Sequence, residues 1–224
     1  MALEGKQILI TSGGTVERWD QVRGHTNLAK GTIGCYLAEQ ALARGADVTY
    51  LHGYFARVPE RHHRLRVQPF EGVADLREKI RRLLETEPVR AVIMAAAVSD
   101  WVVEKLVDQE GRIVDRLGKI PSDQPPVVHF RKADKIITAI KKWKSDLVLV
   151  GFKLEHTADE EYLLARANER MTSWQADVVV ANASSSLHSE ETLHYIVSRS
   201  GDVRTYTDKR ETAKGLLEML ERLL

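Results

Sequence analysis

The sequence predicts a three-layer α/β fold with a doubly wound, mostly parallel sheet. Short, continuous apolar runs alternate with longer stretches of helical period, the βαβ pattern of a sheet covered on both faces. The last third instead alternates in polarity about a Gly-containing turn, which predicts an antiparallel hairpin. The 224 residues, 43% hydrophobic and 29% charged, are enough to build one large core, so 1–224 is read as a single domain.

The elements follow in order. Residues 7–11, 47–51, 91–95, 147–151 and 177–181 are unbroken in their apolar or β-branched character and read as strands buried on both faces. Between them, residues 32–44, 72–84, 133–143 and 159–172 place apolar side chains three and four apart, as with Val73, Leu76, Ile80, Leu83 and Leu84. Thr157 with Glu160, and Asp208 with Glu211, have the spacing of a capping box at a helix start. Gly45 stands where a left-handed residue ends a helix. Residues 192–198 and 203–206 form the hairpin, and a last helix over 209–224 buries Leu216, Leu217, Leu220 and Leu223. This is a Rossmann-like order, interrupted only by residues 102–128, which are rich in charge, Gly and Pro. Their length predicts a protruding flap or dimerisation arm.

Composition excludes several function classes. A net charge of +1 supplies no field for nucleic acid or an anionic membrane, so any anion must be gripped locally. No apolar run approaches the length of a membrane span, and the amino end lacks the features of a signal peptide. The single cysteine, Cys35, excludes an intramolecular disulfide and fits a reducing, cytoplasmic setting. It reads as a small packing residue, Ser12 lacks the context of a nucleophile, and Arg61-His62-His63-Arg64 reads as a solvated loop. No metal-ligating residues are assigned.

In such a sheet ligands sit at the carboxyl ends of the strands. There the chain carries Ser12-Gly13-Gly14-Thr15 and, further on, Gly31-Thr32-Ile33-Gly34 opening a helix, a pair of bends suited to an anion. Neither a dinucleotide fingerprint nor a P-loop is present, no acidic residue follows the second strand, and no tyrosine has a lysine four residues on. These absences disfavour an NAD(P)-dependent reductase. Arg23 offers a fork for carboxylate or phosphate, and Asn27 a donor for an oxyanion. The small residues Ala95-Ala96-Ala97 let a ligand approach the backbone, with Asp100 at the strand exit.

Taken in order, Thr11-Ser12-Gly13-Gly14-Thr15, Asp20-x-Val22-Arg23-x-x-Thr26-Asn27-x-x-x-Gly31-x-x-Gly34, Ala95 to Trp101, Gly151-Phe152-Lys153-Leu154-Glu155 and Ala176 to Asn182 resemble the phosphopantothenoylcysteine synthetases. These are the ligase domain of coenzyme A synthesis, here read as free-standing. The resemblance implies a ligase that uses CTP or ATP with Mg²⁺ to join 4′-phosphopantothenate to L-cysteine through an acyl-nucleotidylate. It implies nucleotide contacts at Gly13, Gly31, Gly34, Phe152 and Asn182, and pantothenate contacts at Asn27, Ala96, Ala97 and Asp100. Asn27 is also the residue expected to process the activated acyl group. The resemblance further implies a homodimer in which Arg23 reaches the neighbouring subunit's substrate and a flap lysine at Lys119 over the triphosphate; the sequence does not decide whether a separate decarboxylase associates with the chain. The chain departs from the pattern at Ala29, where a serine hydroxyl is common, at Trp101 for tyrosine, at Ser122 near a second lysine position, and at Arg170. A nucleotide-binding paralogue that has lost catalysis is the alternative these departures motivate.

Overall fold

A computed structural model describes residues 2–183 and 191–224. Its elements in chain order are β1 (Gln7–Ser12), β2 (Val16–Arg18), β3 (Gly24–Thr26), α1 (Thr32–Ala43), β4 (Asp47–His52), β5 (Leu65–Pro69), α2 (Val73–Thr86) and β6 (Val89–Met94). There follow β7 (Trp101–Val107), β8 (Val127–Lys132), α3 (Ile137–Trp143), β9 (Val148–Glu155), α4 (Glu160–Trp174) and β10 (Val178–Ala183). The chain closes with β11 (Glu191–Ser198), β12 (Val203–Asp208) and α5 (Lys209–Leu223).

The main sheet has the order β12-β11-β10-β9-β6-β1-β4-β5. From β10 to β5 every pairing is parallel, and β11 and β12 add the antiparallel hairpin. The central strands are continuous in apolar residues because both faces are covered. Leu9, Val92, Leu149 and Val179 pack under α2, α3 and α4, whereas Ile8, Ile10, Ile93 and Val180 pack under α1 and α5. Each such fully buried aliphatic side chain contributes roughly 1.5–3 kcal/mol over an exposed one.

Several boundaries differ from those the sequence predicts. β9 runs on through Phe152 to Glu155, because parallel pairing with β10 continues to Ala183 whatever the polarity of the side chains. β5 joins the sheet although most of its residues are exposed, since an edge strand needs only one neighbour and shows no buried run. α3 starts at Ile137, later than expected, and α4 is capped by Asp159, whose carboxylate accepts from Tyr162 N–H at 2.7 Å. Thr157 is not the cap; its hydroxyl accepts from Asp159 N–H. Asp208 does cap α5, accepting from the N–H groups of Arg210 and Glu211, and Gly45 adopts φ +88° after α1. Leu223 is 45% exposed and does not join the core that holds Leu216, Leu217 and Leu220; the next residue, Leu224, packs against that core instead.

The segment expected to protrude is a two-stranded antiparallel ribbon, β7 with β8, and its connection over 108–126 folds back on the small hairpin β2–β3. Asp20 is the anchor. Its carboxylate, 2% exposed, accepts from Ile120 N–H at 3.0 Å, from Val22 and Arg23 N–H, and from the Arg23 guanidinium. Burial alone would raise the carboxyl's pKa, but these donors outweigh it and hold the group well below the usual carboxylate range.

Candidate active site

Two tight bends bring the site together. After β1 the chain turns at Gly13, φ +79°, and Ala97 N–H donates to Gly13 C=O at 2.8 Å, tying the exit of β1 to that of β6. Gly31 is the left-handed residue before α1, with φ 69°, and Ser12 Oγ donates to its carbonyl at 3.0 Å. A Cβ there would lie 2.6 Å from Ser12 Oγ, and one on Gly34 would collide with the same side chain. No side chain caps α1 and no acidic residue sits in its first turn, so its amino end faces the cleft with its partial positive charge unopposed.

Two joined cavities open above the carboxyl ends of the strands. The larger, about 720 Å³, is lined by Asn27, Ala96, Ala97 and Asp100 together with Lys132, Lys135, Lys153, Arg170 and Trp174. The smaller, about 150 Å³, is lined by Gly31, Thr32, Ile33, Phe152, Asn182, His194 and Lys209. Ala29, Ala96, Ala97, Phe152 and Leu154 border both. The side chain of Asn27 is oriented by a 2.9 Å hydrogen bond from Nδ2 to Ala97 C=O, and the loop before it by Thr26 Oγ1 donating to Thr15 C=O at 2.8 Å. Asp100 forms an ion pair with Lys135 at the rim. The Trp174 ring packs closely on Gly151 of β9, where a Cβ would come within 2.6 Å of it.

The expected residues therefore fall into sets. Gly31 and Asn182 line the smaller cavity, Asn27 and Asp100 the larger, and Phe152, Ala96 and Ala97 border both. Gly13 and Gly34 line neither, and stand behind the bends as close-packing positions. Arg23 and Lys119 line neither as well. The Arg23 guanidinium pairs with Asp20 and donates to Ile120 C=O at 2.5 Å, and Lys119 is exposed on the connection just before that residue.

Sequence reasoning passed over Lys209 and His194. His194 lies on β11 opposite Asn182 and is 2% exposed, with Nδ1 2.9 Å from Thr212 Oγ1. Burial, aided by the nearby charge of Lys209, pushes its pKa down to about 4. Lys209 is 8% exposed at the first position of α5. A lysine where a helix favours an acid was the signal available. Ser122 and Trp101 lie outside both linings, but Ala29 and Arg170 are within them. Among the described residues no group of three or more His, Cys, Asp or Glu side chains could hold a metal ion, and no helix is long and apolar enough to cross a membrane.

Comparison with known proteins agrees with this geometry. Residues 3–223 match the family model of the DNA/pantothenate metabolism flavoprotein C-terminal domain. The chain is 34% identical over 224 residues to the coenzyme A biosynthesis bifunctional protein CoaBC of Thermococcus kodakarensis, covering 100% of this chain and 53% of that protein. It is 26% identical to the Methanocaldococcus jannaschii protein of the same name, covering 99% and 52%. The chain thus spans about half the length of the curated relatives it matches. The DNA/pantothenate metabolism flavoprotein from Streptococcus pneumoniae superposes with a TM-score of 0.88 at 26% identity, covering 98% of this chain and 100% of that one. A solved C-terminal domain of CoaBC gives 0.77 at 26% identity, covering 99% and 97%.

Proposed function

Because the chain belongs to the family of DNA/pantothenate metabolism flavoprotein C-terminal domains, we propose that it is a nucleotide-dependent ligase that condenses 4′-phosphopantothenate with L-cysteine. The observation that carries this reading is the pair of joined cavities, with Gly31 and Asn182 in one, Asn27 and Asp100 in the other, and Phe152, Ala96 and Ala97 bordering both. In the first step a carboxylate oxygen of the substrate attacks the α-phosphorus of CTP or ATP, forming the acyl-nucleotidylate and releasing pyrophosphate. In the second the cysteine amine attacks the acyl carbon, the nucleoside monophosphate leaves, and the amine gives up a proton. Both steps bring anions together and pass through added negative charge, so fixed donors matter more than a nucleophile.

The chain's own groups suit those needs. Asn27 lines the larger cavity, oriented through Ala97, which borders both, and supplies an amide to the acyl oxygen. The small Ala96 and Ala97 leave room for the reacting carboxyl beside the backbone. Phe152 borders both cavities, where an aromatic face can meet the base. Asp100 and Asp134 are the carboxylates of the larger cavity, a number that suits a Mg²⁺ held mainly by nucleotide phosphates and water. Such an ion, when bound, would supply charge neutralisation at the phosphates.

The finer expectations form part of the same proposal: a homodimer in which Arg23 serves the neighbouring site, Lys119 covering the triphosphate, a partner decarboxylase activity, and a cytoplasmic setting. The test is pyrophosphate release by the purified protein with Mg²⁺ and either nucleotide. Release that requires 4′-phosphopantothenate is expected; release indifferent to it would overturn the reading. A second reading, a nucleotide-binding paralogue without catalysis, is favoured by Ala29, which borders both cavities without a hydroxyl. Tight nucleotide binding without turnover would select it.

A further inference from the structure

His25 lines neither cavity and the ligase assignment does not use it, yet its ring joins three segments that carry residues of the acid-side wall. It stands on β3, two residues before Asn27. Its Nε2 is 3.3 Å from both Ser99 Oγ and the Trp101 carbonyl oxygen, in the turn that carries Asp100. The ring also meets Phe130 of β8 edge to face, with centroids 4.7 Å apart.

These neighbours fix the tautomer. The Trp101 carbonyl can only accept, and the Ser99 hydroxyl already donates to that same oxygen at 2.7 Å, so the hydrogen sits on Nε2. Nδ1 is then a bare lone pair, and it is buried with no hydrogen-bond partner. An unpaired buried acceptor lowers stability, and an apolar ring would fill the same space without that cost. What the imidazole adds to packing is one donor, aimed at the turn over 99–101.

That donor closes a circuit around Asn27. Thr26 Oγ1 donates to Thr15 C=O at 2.8 Å, and Asn27 Nδ2 to Ala97 C=O at 2.9 Å. Thr15 N–H donates to Ala97 C=O at 3.3 Å, and Thr15 Oγ1 accepts from Ser99 N–H at 3.0 Å. Three consecutive residues, His25, Thr26 and Asn27, are thus stitched to one turn and its neighbour. Of these bonds only that of His25 reaches past Ser99 to the residue after Asp100.

We propose that His25 is a positioning residue: through Nε2–H it fixes the turn bearing Asp100 against the strand that leads to Asn27, and so sets the spacing of these two side chains in the larger cavity. It touches no substrate. The inference rests on the ligase reading above and adds a residue to it.

Steady-state pyrophosphate release with Mg²⁺ and nucleotide tests this on the parent and on His25→Phe, His25→Gln and His25→Asn. Phenylalanine keeps the ring and its contact with Phe130, glutamine can place an amide N–H where Nε2 stands, and asparagine falls short of it. Misplaced groups should lower kcat/KM for 4′-phosphopantothenate about tenfold or more in His25→Phe, with the KM for nucleotide within about threefold. His25→Gln should recover most of that loss and His25→Asn little. Equal loss toward acid and nucleotide, or equal activity of the glutamine and asparagine variants, would overturn the proposal. Should His25→Phe fail to fold, the contrast between those two variants decides, together with the imidazole nitrogen resonances of His25 in the parent, assigned by their absence from His25→Gln. Hydrogen on Nε2 of the neutral ring is expected, and hydrogen on Nδ1 would overturn it. If the parent's release requires 4′-phosphopantothenate and His25→Phe matches it, this inference alone fails; if the parent's release ignores that acid, the ligase reading fails and takes the inference with it.

Discussion

Single residues here do their work by contact and by charge, and both effects are measurable. Gly34 is buried against the Ser12 side chain, so a methyl at this position forces apart β1 and α1. Gly34→Ala is expected to lower stability by about 1–3 kcal/mol, the usual cost of overpacking, read as a shift in denaturation midpoint at unchanged slope. His194 is held near pKa 4 against 6.5 for the free group. A histidine whose folded pKa is depressed stabilises fully above its unfolded value, and that contribution is lost as pH falls from about 6.5 toward 4. The loss should reach roughly 3 kcal/mol across that window, and His194→Gln should flatten it. A variant with the same pH slope as the parent would contradict the assignment of this group. Asn27 and Asp100 were legible from their motifs, but not that Asn27 is aimed by Ala97 C=O or that Asp100 is paired with Lys135.

Among the elements, the ribbon β7–β8 and its connection are the least expected from local signals. The sequence marks 102–128 as irregular because charge, Gly and Pro break both periodicities, and marks 20–27 only as a polar loop. What joins them is one buried carboxylate, Asp20, which receives donors from its own turn and from Ile120 across about a hundred positions of chain. No local pattern reports a pairing over that separation. Asp20→Asn removes the charge that holds Arg23 and weakens the accepted bonds, so the connection over 108–126 should become the first site of limited proteolysis at neutral pH, while the parent stays intact. In the parent the same release is expected only when acid titrates Asp20, below the pKa of an ordinary carboxylate, since its folded value lies beneath the unfolded one. Equal cleavage of variant and parent at this segment would remove Asp20 from its anchoring role.

At the scale of the molecule, this same module carries exposed apolar side chains, among them Val22, Trp101, Ile113 at 79% and Leu117 at 79%, although others, such as Tyr54 and Phe55, lie apart from it. Those of the module fit the proposed homodimer, in which Arg23 would serve the neighbouring site. Mixing Asn27→Ala with Arg23→Ala tests it, because each mixed dimer then carries one site with both residues intact. A random equal mixture should recover about a quarter of parental activity from two nearly inactive proteins. No recovery would confine Arg23 to its own chain, in the pairing with Asp20 and Ile120.

The sequence alone determined the layers, the mostly parallel sheet and the hairpin. Burial on both faces imposes continuous apolar strands, and one-sided packing imposes helical period, so each is written locally in Ile8 to Ile10 or Val73 to Leu84. It also located both glycine bends, since a left-handed backbone at Gly31 tolerates few other residues. Only the tertiary structure decided which of those residues share a cavity, that Gly13 and Gly34 stand behind it, and that Lys209 and His194 face it from the last strand pair and helix. The reason is physical. Packing of a side chain against its own element leaves a period in the sequence, whereas charge gathered across a cleft from β10, β11, α1 and α5 is a sum over distant segments and leaves none.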